Sequence, residues 1–194
     1  MRPLVMLART PVWLVWALGL IPLAWLVLDA TTGGLGPEPV RDVQQRLGQT
    51  AIWFLVGGLA ITPLRRFTPL NLVRLRRHIG LLAALYAVLH AAAWAGLDLR
   101  DLSRAAVEIT RRPWLMLGMG ALALILPLAA TSFDGAIRRL GPLRWRRLHR
   151  LVYPAAILAG LHYVMLTKTW EALPIVVLAL IGGLLAARML PRRR

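Results

Sequence analysis

The sequence predicts an all-α integral membrane protein, and three observations support that fold class. Of the 194 residues, 58% are hydrophobic and 16% are charged, and the mean hydropathy is +0.63. A soluble domain of this length normally carries more charge and shorter apolar runs. Apolar runs long enough to cross a hydrocarbon layer of about 30 Å recur along the chain. Arginines stand in short blocks between these runs, as in proteins whose basic loops orient their helices in a membrane.

The apolar runs predict six membrane-spanning helices in a single domain covering residues 1–194. Their expected bounds are about 12–30, 48–64, 78–96, 113–131, 149–167 and 172–189. The first run is longer than the apolar part of a typical signal peptide, and no small-residue cleavage site follows it. We therefore expect a retained anchor. A short interfacial helix is expected within residues 99–112.

Basic residues divide unequally between the two ends of the predicted spans. One side has 17 Lys and Arg residues and the other has 7, while the acidic residues divide 1 to 7 in the opposite sense. The richer side comprises both termini and the segments 64–77 and 132–150. Because Lys and Arg are retained in the cytoplasm, both termini are predicted to be cytoplasmic.

Composition also excludes several classes of function. The net charge of +16 comes from arginine blocks between the spans. The sequence shows no basic segment with interleaved aromatic residues, which a nucleic-acid groove would need. The expected partner is therefore a lipid membrane and not nucleic acid. No cysteine is present, which excludes disulfides, thiolate ligands and covalent haem attachment. No nucleotide-binding, zinc-protease or serine-nucleophile motif occurs, so hydrolytic chemistry has no support.

The four histidines form two pairs of similar spacing, and each pair starts just after arginines. His78 precedes His90 by 12 residues, and His149 precedes His162 by 13. On a helix, residues this far apart are separated by about 20 Å along the axis. The predicted topology makes the third and fifth spans parallel. His78 and His149 then share a depth near the cytoplasmic surface, and His90 and His162 share a deeper one, closer to the outer surface.

This arrangement predicts a cytochrome b-type bundle with two bis-histidine haem sites. An imidazole within the hydrocarbon is costly and usually functional. Haem iron accepts axial histidine, and no carboxylate or thiolate lies near these residues to favour another metal. With both axial positions filled, such a haem transfers electrons and does not bind oxygen. The alternative is that the deep histidines bond neighbouring helices and that His78 and His149 are solvated at the interface.

Arginines beside the histidines suit two roles that are compatible with each other. Arg76, Arg77, Arg147 and Arg150 orient the helices in the membrane. At the same surface, haem propionates require cationic hydrogen-bond donors, which guanidinium groups supply. These four arginines are therefore candidate propionate contacts.

Aromatic and small residues near the histidines leave two interpretations open. Tyr86 lies on the same helical face as His90, where it either packs on a porphyrin or hydrogen-bonds a group around the site, or else belongs to the interfacial aromatic belt. Trp114 is expected in the outer belt. Gly80 and Gly160 either let a flat macrocycle approach the backbone or allow close helix packing.

Several short motifs follow one another along nearly the whole chain. In order, they are Gly34-Leu35-Gly36, Ile61-Thr62-Pro63-Leu64, Arg76-Arg77 with Gly80-Leu81, Leu89-His90, Arg112-Pro113, Trp145-x-x-Leu148-His149-Arg150 and Leu161-His162-Tyr163. Together they resemble the haem-binding membrane subunits of the bacterial periplasmic protein-methionine-sulfoxide reductase system, the MsrQ family of the ferric reductase-like transmembrane group.

The resemblance implies one or two haem b groups, an associated FMN and electrons drawn from the respiratory quinone pool of the inner membrane. It implies a periplasmic molybdopterin-containing partner that reduces methionine sulfoxide in oxidised proteins. The chain itself is then a non-catalytic electron-transfer subunit. His90, His149 and His162 match the haem-related histidines of the family. His78 departs from the pattern, since members can have an apolar residue there.

Two other functions compete with this interpretation. One is a metal reductase of the same transmembrane group, which usually carries a cytosolic FAD/NAD(P)H domain for which the short loops leave no room. The other is a transporter or structural bundle whose histidines are hydrogen-bonded and hold no cofactor. A visible absorption spectrum separates the haem proteins from the last class.

Overall fold

The computed structural model describes residues 10–69, 71–99, 102–166 and 171–189. Regular secondary structure in these residues is helical throughout, which confirms the predicted all-α class. The chain forms two compact units, Met1–Ala106 and Val107–Arg194. A single domain over the whole chain stays a prediction.

Three long helices form most of the first unit. They are α1 (Val12–Thr32), α2 (Pro39–Phe67) and α3 (Val73–Ala93), which continues into a π-helical turn (Trp94–Leu99). Helix α2 packs along α3, and α1 packs more on α3 than on α2. A 3₁₀ turn (Leu102–Arg104) and the short helix α4 (Ala105–Arg111) follow, which confirms a short helix within 99–112.

Helix α2 begins nine residues before the predicted span 48–64. Pro39 stands in its first turn, where a missing N–H costs nothing, and Asp42 suits the positive end of the helix dipole. Arg46 pairs with Asp42 at 2.9 Å and also with Asp29 of α1. These local interactions support a polar helical extension that an apolar pattern does not predict.

Tyr86 joins α1, α2 and α3. Its side chain is 1% exposed, and its ring stacks on Phe54 with centroids 5.5 Å apart. Its hydroxyl donates to the Gly19 carbonyl at 2.7 Å and accepts from the Leu23 N–H at 3.1 Å. These two backbone groups are four residues apart, and Pro22 weakens the helical ladder at this point. Tyr86 is therefore a core residue, and its assignment to the interfacial belt is wrong.

We expect Tyr86→Phe to lower the free energy of unfolding by about 1 kcal/mol. The ring still stacks on Phe54, but the two backbone groups of α1 lose their hydroxyl partner. Thermal denaturation in detergent measures the change. Tyr153→Phe is the matched control, because the Tyr153 ring lies under the Arg188 guanidinium at 5.3 Å and that contact does not need the hydroxyl. Equal destabilisation by both variants would contradict the role assigned to Tyr86.

Helix α4 lies mostly in the second unit, and among the described residues four further helices follow it there. They are α5 (Pro113–Ala130), α6 (Asp134–Leu148), α7 (Val152–Leu166) and α8 (Ala172–Met189), with a 3₁₀ turn (His149–Leu151) between α6 and α7. Helix α7 packs on both α5 and α8. The basic segment 132–150 was predicted only as a connection between spans, but most of it forms α6. This helix has five exposed arginines and a break at Gly141, whose φ of +73° favours glycine.

The predicted span 149–167 starts with a tighter turn than expected. Pro154 lies in the first turn of α7, where its missing N–H needs no helical partner. Its ring excludes a regular α-helical bond to the Arg150 carbonyl, and the chain forms a 3₁₀ turn there. His149 is the first residue of this turn, and His162 lies within α7.

Four described helices are long and apolar enough to cross a membrane: α1, α2, α3 with its π-helical turn, and α5. Helix α8 is a shorter apolar helix, and α7 has 15 residues. On α1, Trp13 is 69% and Trp25 63% exposed, as suits side chains that face lipid. The count of six spans and the cytoplasmic termini stay predictions. Of the terminal arginines that enter the predicted orientation, only Arg188 is among the described residues. Arg100 and Lys168 also lie outside them.

Candidate functional site

His90 is held against the backbone of α2. It lies near the end of α3, half-buried, with its Nδ1 atom 2.8 Å from the main-chain oxygen of Gln44. A carbonyl oxygen can only accept, so Nδ1 carries the proton and donates. The lone pair of the neutral ring is then on Nε2. This is the tautomer that a histidine needs to bind a metal through Nε2.

His162 has the same environment in the second unit. It lies on α7, and its Nδ1 atom is 2.7 Å from the main-chain oxygen of Trp114 on α5. Nδ1–H again donates to a carbonyl, and the lone pair is again on Nε2. Trp114 was predicted only as a belt residue, because a sequence does not reveal which backbone carbonyl accepts a hydrogen bond.

His78 is in the opposite tautomer. The Trp16 indole N–H on α1 donates to Nδ1 of His78 at 3.1 Å, and the two rings meet edge to face. Tryptophan has no acceptor, so Nδ1 holds the lone pair and the neutral ring carries its proton on Nε2. Binding iron through Nε2 would require this proton to move and the Trp16 hydrogen bond to break.

His149 belongs to a small polar cluster at the start of α7. Its Nε2 atom is 3.1 Å from the Thr131 hydroxyl, and its ring stacks on Trp145 with centroids 3.9 Å apart. The Trp145 indole donates to the Thr131 carbonyl, and the Thr131 hydroxyl donates to the Pro127 carbonyl. Since that hydroxyl has one proton, His149 Nε2–H donates to it, and the lone pair is on Nδ1.

The candidate arginines are close in sequence to His78 and His149. Arg76 and Arg77 precede His78 in the first turns of α3, with Arg76 exposed and Arg77 half-buried. Arg147 at the end of α6 and Arg150 in the 3₁₀ turn are exposed. Contact with a propionate stays a prediction. So do the pairings of His78 with His149 and of His90 with His162, since each joins residues of different units.

The donor chemistry fits haem. Among the described residues, no three His, Asp or Glu side chains are grouped to hold a metal ion by themselves. A porphyrin supplies four equatorial nitrogens to iron, so the protein needs to supply only axial ligands. His90 and His162 are in the tautomer suited to that role. Each has an Nδ1–H···O=C bond, which fixes the ring and increases the basicity of Nε2.

A cavity of about 520 Å³ also lies in the first unit. Aromatic side chains form much of its lining, including Trp25, Trp53 and Tyr86, and Arg46 also borders it. None of the four histidines lines this cavity, so it is separate from the candidate ligands.

Comparison with known proteins places these observations in a family. Residues 15–160 match the family described as the ferric reductase-like transmembrane component. The chain is 40% identical over 178 residues to the "Protein-methionine-sulfoxide reductase heme-binding subunit MsrQ" of Brucella ovis, with 91% of this chain and 80% of that protein covered. The subunit of the same name from Brucella anthropi is 38% identical over 179 residues, covering 92% and 81%. No solved structure gives a significant match.

Proposed function

Since this chain belongs to the ferric reductase-like transmembrane family and, within it, to the MsrQ haem-binding subunits, we propose that it carries electrons across the inner membrane to a methionine-sulfoxide reductase. It is a multi-pass membrane protein and an electron-transfer subunit. In the proposed pathway, electrons come from the respiratory quinone pool. They leave to a periplasmic molybdopterin-containing subunit that reduces methionine sulfoxide in oxidised proteins.

The shared tautomer of His90 and His162 is the observation that carries this proposal. Each donates from Nδ1 to a backbone carbonyl, at 2.8 Å and 2.7 Å respectively, and so keeps the lone pair on Nε2. A histidine that served only to bond a neighbouring helix could do so through either ring nitrogen. The same orientation at both deep positions supports axial ligation of one haem b by these two residues.

A second haem b is proposed between His78 and His149, with Arg76, Arg77, Arg147 and Arg150 as propionate contacts. Ligation through Nε2 would require both rings to move their proton to Nδ1 and to give up their bonds with Trp16 and Thr131. Bound haem supplies an iron that accepts and releases one electron at a time. His90 and His162 would hold that iron, their Nδ1–H bonds would fix the imidazole orientation, and the apolar interior would exclude water. An FMN cofactor, which the family resemblance implies, is also part of the proposal, without assigned residues.

Visible spectroscopy of the purified protein tests the proposed function. We expect a Soret band and, on reduction, a sharp α band, because two axial histidines make the iron low-spin. Pyridine haemochrome analysis then gives the haem content per chain. A folded protein that shows neither band after expression with sufficient haem would favour the cofactor-free bundle. Electron transfer to the periplasmic partner distinguishes the proposed subunit from a metal reductase.

The proposed six-span topology has its own test. A reporter enzyme that is active only in the periplasm is expected to be silent when fused after Arg194, because the basic segments retain the termini in the cytoplasm. The matched control is the same reporter inserted after Gly36, in the turn between α1 and α2, where activity is expected. Activity after Arg194 would reverse the orientation and the direction of electron transfer.

A further inference from the structure

We infer that Gly48 and Gly118 are positioning residues that make room for the imidazole rings of His90 and His162, and that the two units repeat this device. The inference deepens the proposed function and rests on it. It identifies the residues that set the orientation and tautomer of each deep histidine, which the family match does not do.

A Cβ atom at either glycine would lie closer to a histidine ring than almost all Cβ contacts in proteins. A Cβ atom at Gly118 would lie 2.9 Å from both Cε1 and Nδ1 of His162. A Cβ atom at Gly48 would lie 3.0 Å from Nδ1 and 3.1 Å from Cε1 of His90. The nearest atoms in both cases belong to the imidazole and not to a neighbouring backbone. The absent side chain therefore serves the histidine.

The register of each glycine explains why it is needed. The carbonyls that accept from the two histidines belong to Gln44 and Trp114, four residues before Gly48 and Gly118 respectively. On a helix the Cα–Cβ bond points towards the N-terminus, so a side chain covers the backbone one turn before it. A glycine four residues after a carbonyl uncovers that oxygen. The ring can then donate to a carbonyl that is already within the helical ladder.

The same arrangement of a glycine and a histidine ring occurs in each unit. Gly48 precedes His90 by 42 residues, and Gly118 precedes His162 by 44. In each unit the glycine lies on one long helix and the histidine on a helix packed against it, α3 on α2 and α7 on α5. Other glycines of α2 and α5 have ordinary surroundings, since a Cβ at Gly58 would lie 3.7 Å from Ile79 and one at Gly120 3.4 Å from Leu158.

The test compares Gly48→Ala and Gly118→Ala with Gly58→Ala and Gly120→Ala, which are controls on the same two helices. The first readout is ¹⁵N NMR of histidine in the haem-free protein, which reports which ring nitrogen carries the proton. We expect the Nδ1–H signal of the affected histidine to be lost or shifted towards the other tautomer. The control variants should keep the unsubstituted spectrum.

The second readout is the haem itself. Loss of a partner that orients a metal-binding histidine typically weakens binding by about 10–100-fold. We therefore expect Gly48→Ala and Gly118→Ala to release haem to apomyoglobin faster by a factor in that range and to show a high-spin component. Unchanged tautomers and haem retention, or equal losses in the controls, overturn the inference. Absence of haem from the unsubstituted protein counts against the proposed function, while the NMR result still decides the role of the glycines.

A suppressor variant covers the case in which an alanine variant does not fold. Removing the ring in Gly118→Ala/His162→Gly removes the close contact, so the double variant should fold as well as His162→Gly alone. Likewise, Gly48→Ala/His90→Gly should fold as well as His90→Gly alone. If a single glycine substitution prevents folding and the matching double variant does not recover, the glycine serves helix packing and the inference is wrong.

Discussion

His90→Ala is expected to abolish the low-spin spectrum of the deep haem, and His162→Ala is expected to do the same. If both histidines bind the iron, as proposed, either change removes one ligand and leaves the iron five-coordinate or the haem unbound. The remaining histidine still donates from Nδ1 to its backbone carbonyl, so the helices keep that contact. Absorption and electron paramagnetic resonance spectra of the purified variants measure the loss. Electron transfer to the periplasmic partner should stop in both.

Two variants control for disturbance of the helices. Gln44→Ala and Trp114→Leu change the side chains of the residues whose carbonyls bond the histidines, but they keep those carbonyls. Both are expected to retain the low-spin haem. A His90→Ala or His162→Ala protein with normal haem content and spin state would rule out ligation by these residues.

Much of the fold could be predicted from hydrophobicity. The predicted spans 113–131 and 172–189 correspond closely to α5 and α8, because long apolar runs bounded by charged or proline residues admit few other structures. Helix α6 is not predicted as an element because its five arginines make the segment resemble a polar connection between spans. The polar start of α2 is not predicted by hydrophobicity because it has no apolar run. Its pair Arg46–Asp42 is local to the helix, whereas that between Arg46 and Asp29 forms only after α1 and α2 meet.

Prediction of the site was less complete. Histidines in apolar runs are rare, so all four ligand candidates could be identified from the sequence. Their tautomers depend on which backbone carbonyl or indole lies opposite, and this is a tertiary property. The glycines show the same limit. A Cβ at Gly160 would meet Leu178 at 2.8 Å, so Gly160 serves the packing of α7 on α8, and a Cβ at Gly80 meets nothing within 4 Å. The glycines that contact histidines lie on other helices, more than 40 residues earlier in the chain.

His78→Leu tests the proposal of two haem levels. We expect the spectrum of the haem proposed on His90 and His162 to be unchanged, because leucine fills the site and His78 is 12 residues from His90 on α3. If His78 and His149 hold a second haem, the change should remove about half of the total haem. Haem analysis of the purified variant measures both quantities. Loss of all haem from a folded, inserted protein would contradict two independent levels.

Trp16→Phe decides whether His78 binds iron at all. In the structure, the Trp16 N–H donates to Nδ1, which places the proton of the neutral ring on Nε2. Iron bound at Nε2 requires the proton on Nδ1, so this hydrogen bond and ligation through Nε2 exclude each other. Phenylalanine keeps the ring contact and removes the donor. If His78 is a ligand, Trp16→Phe should therefore strengthen retention of the second haem, measured as slower transfer to apomyoglobin. If the rate of haem transfer does not change, His78 is not a ligand. Its hydrogen bond with Trp16 then serves the packing of α1 on α3.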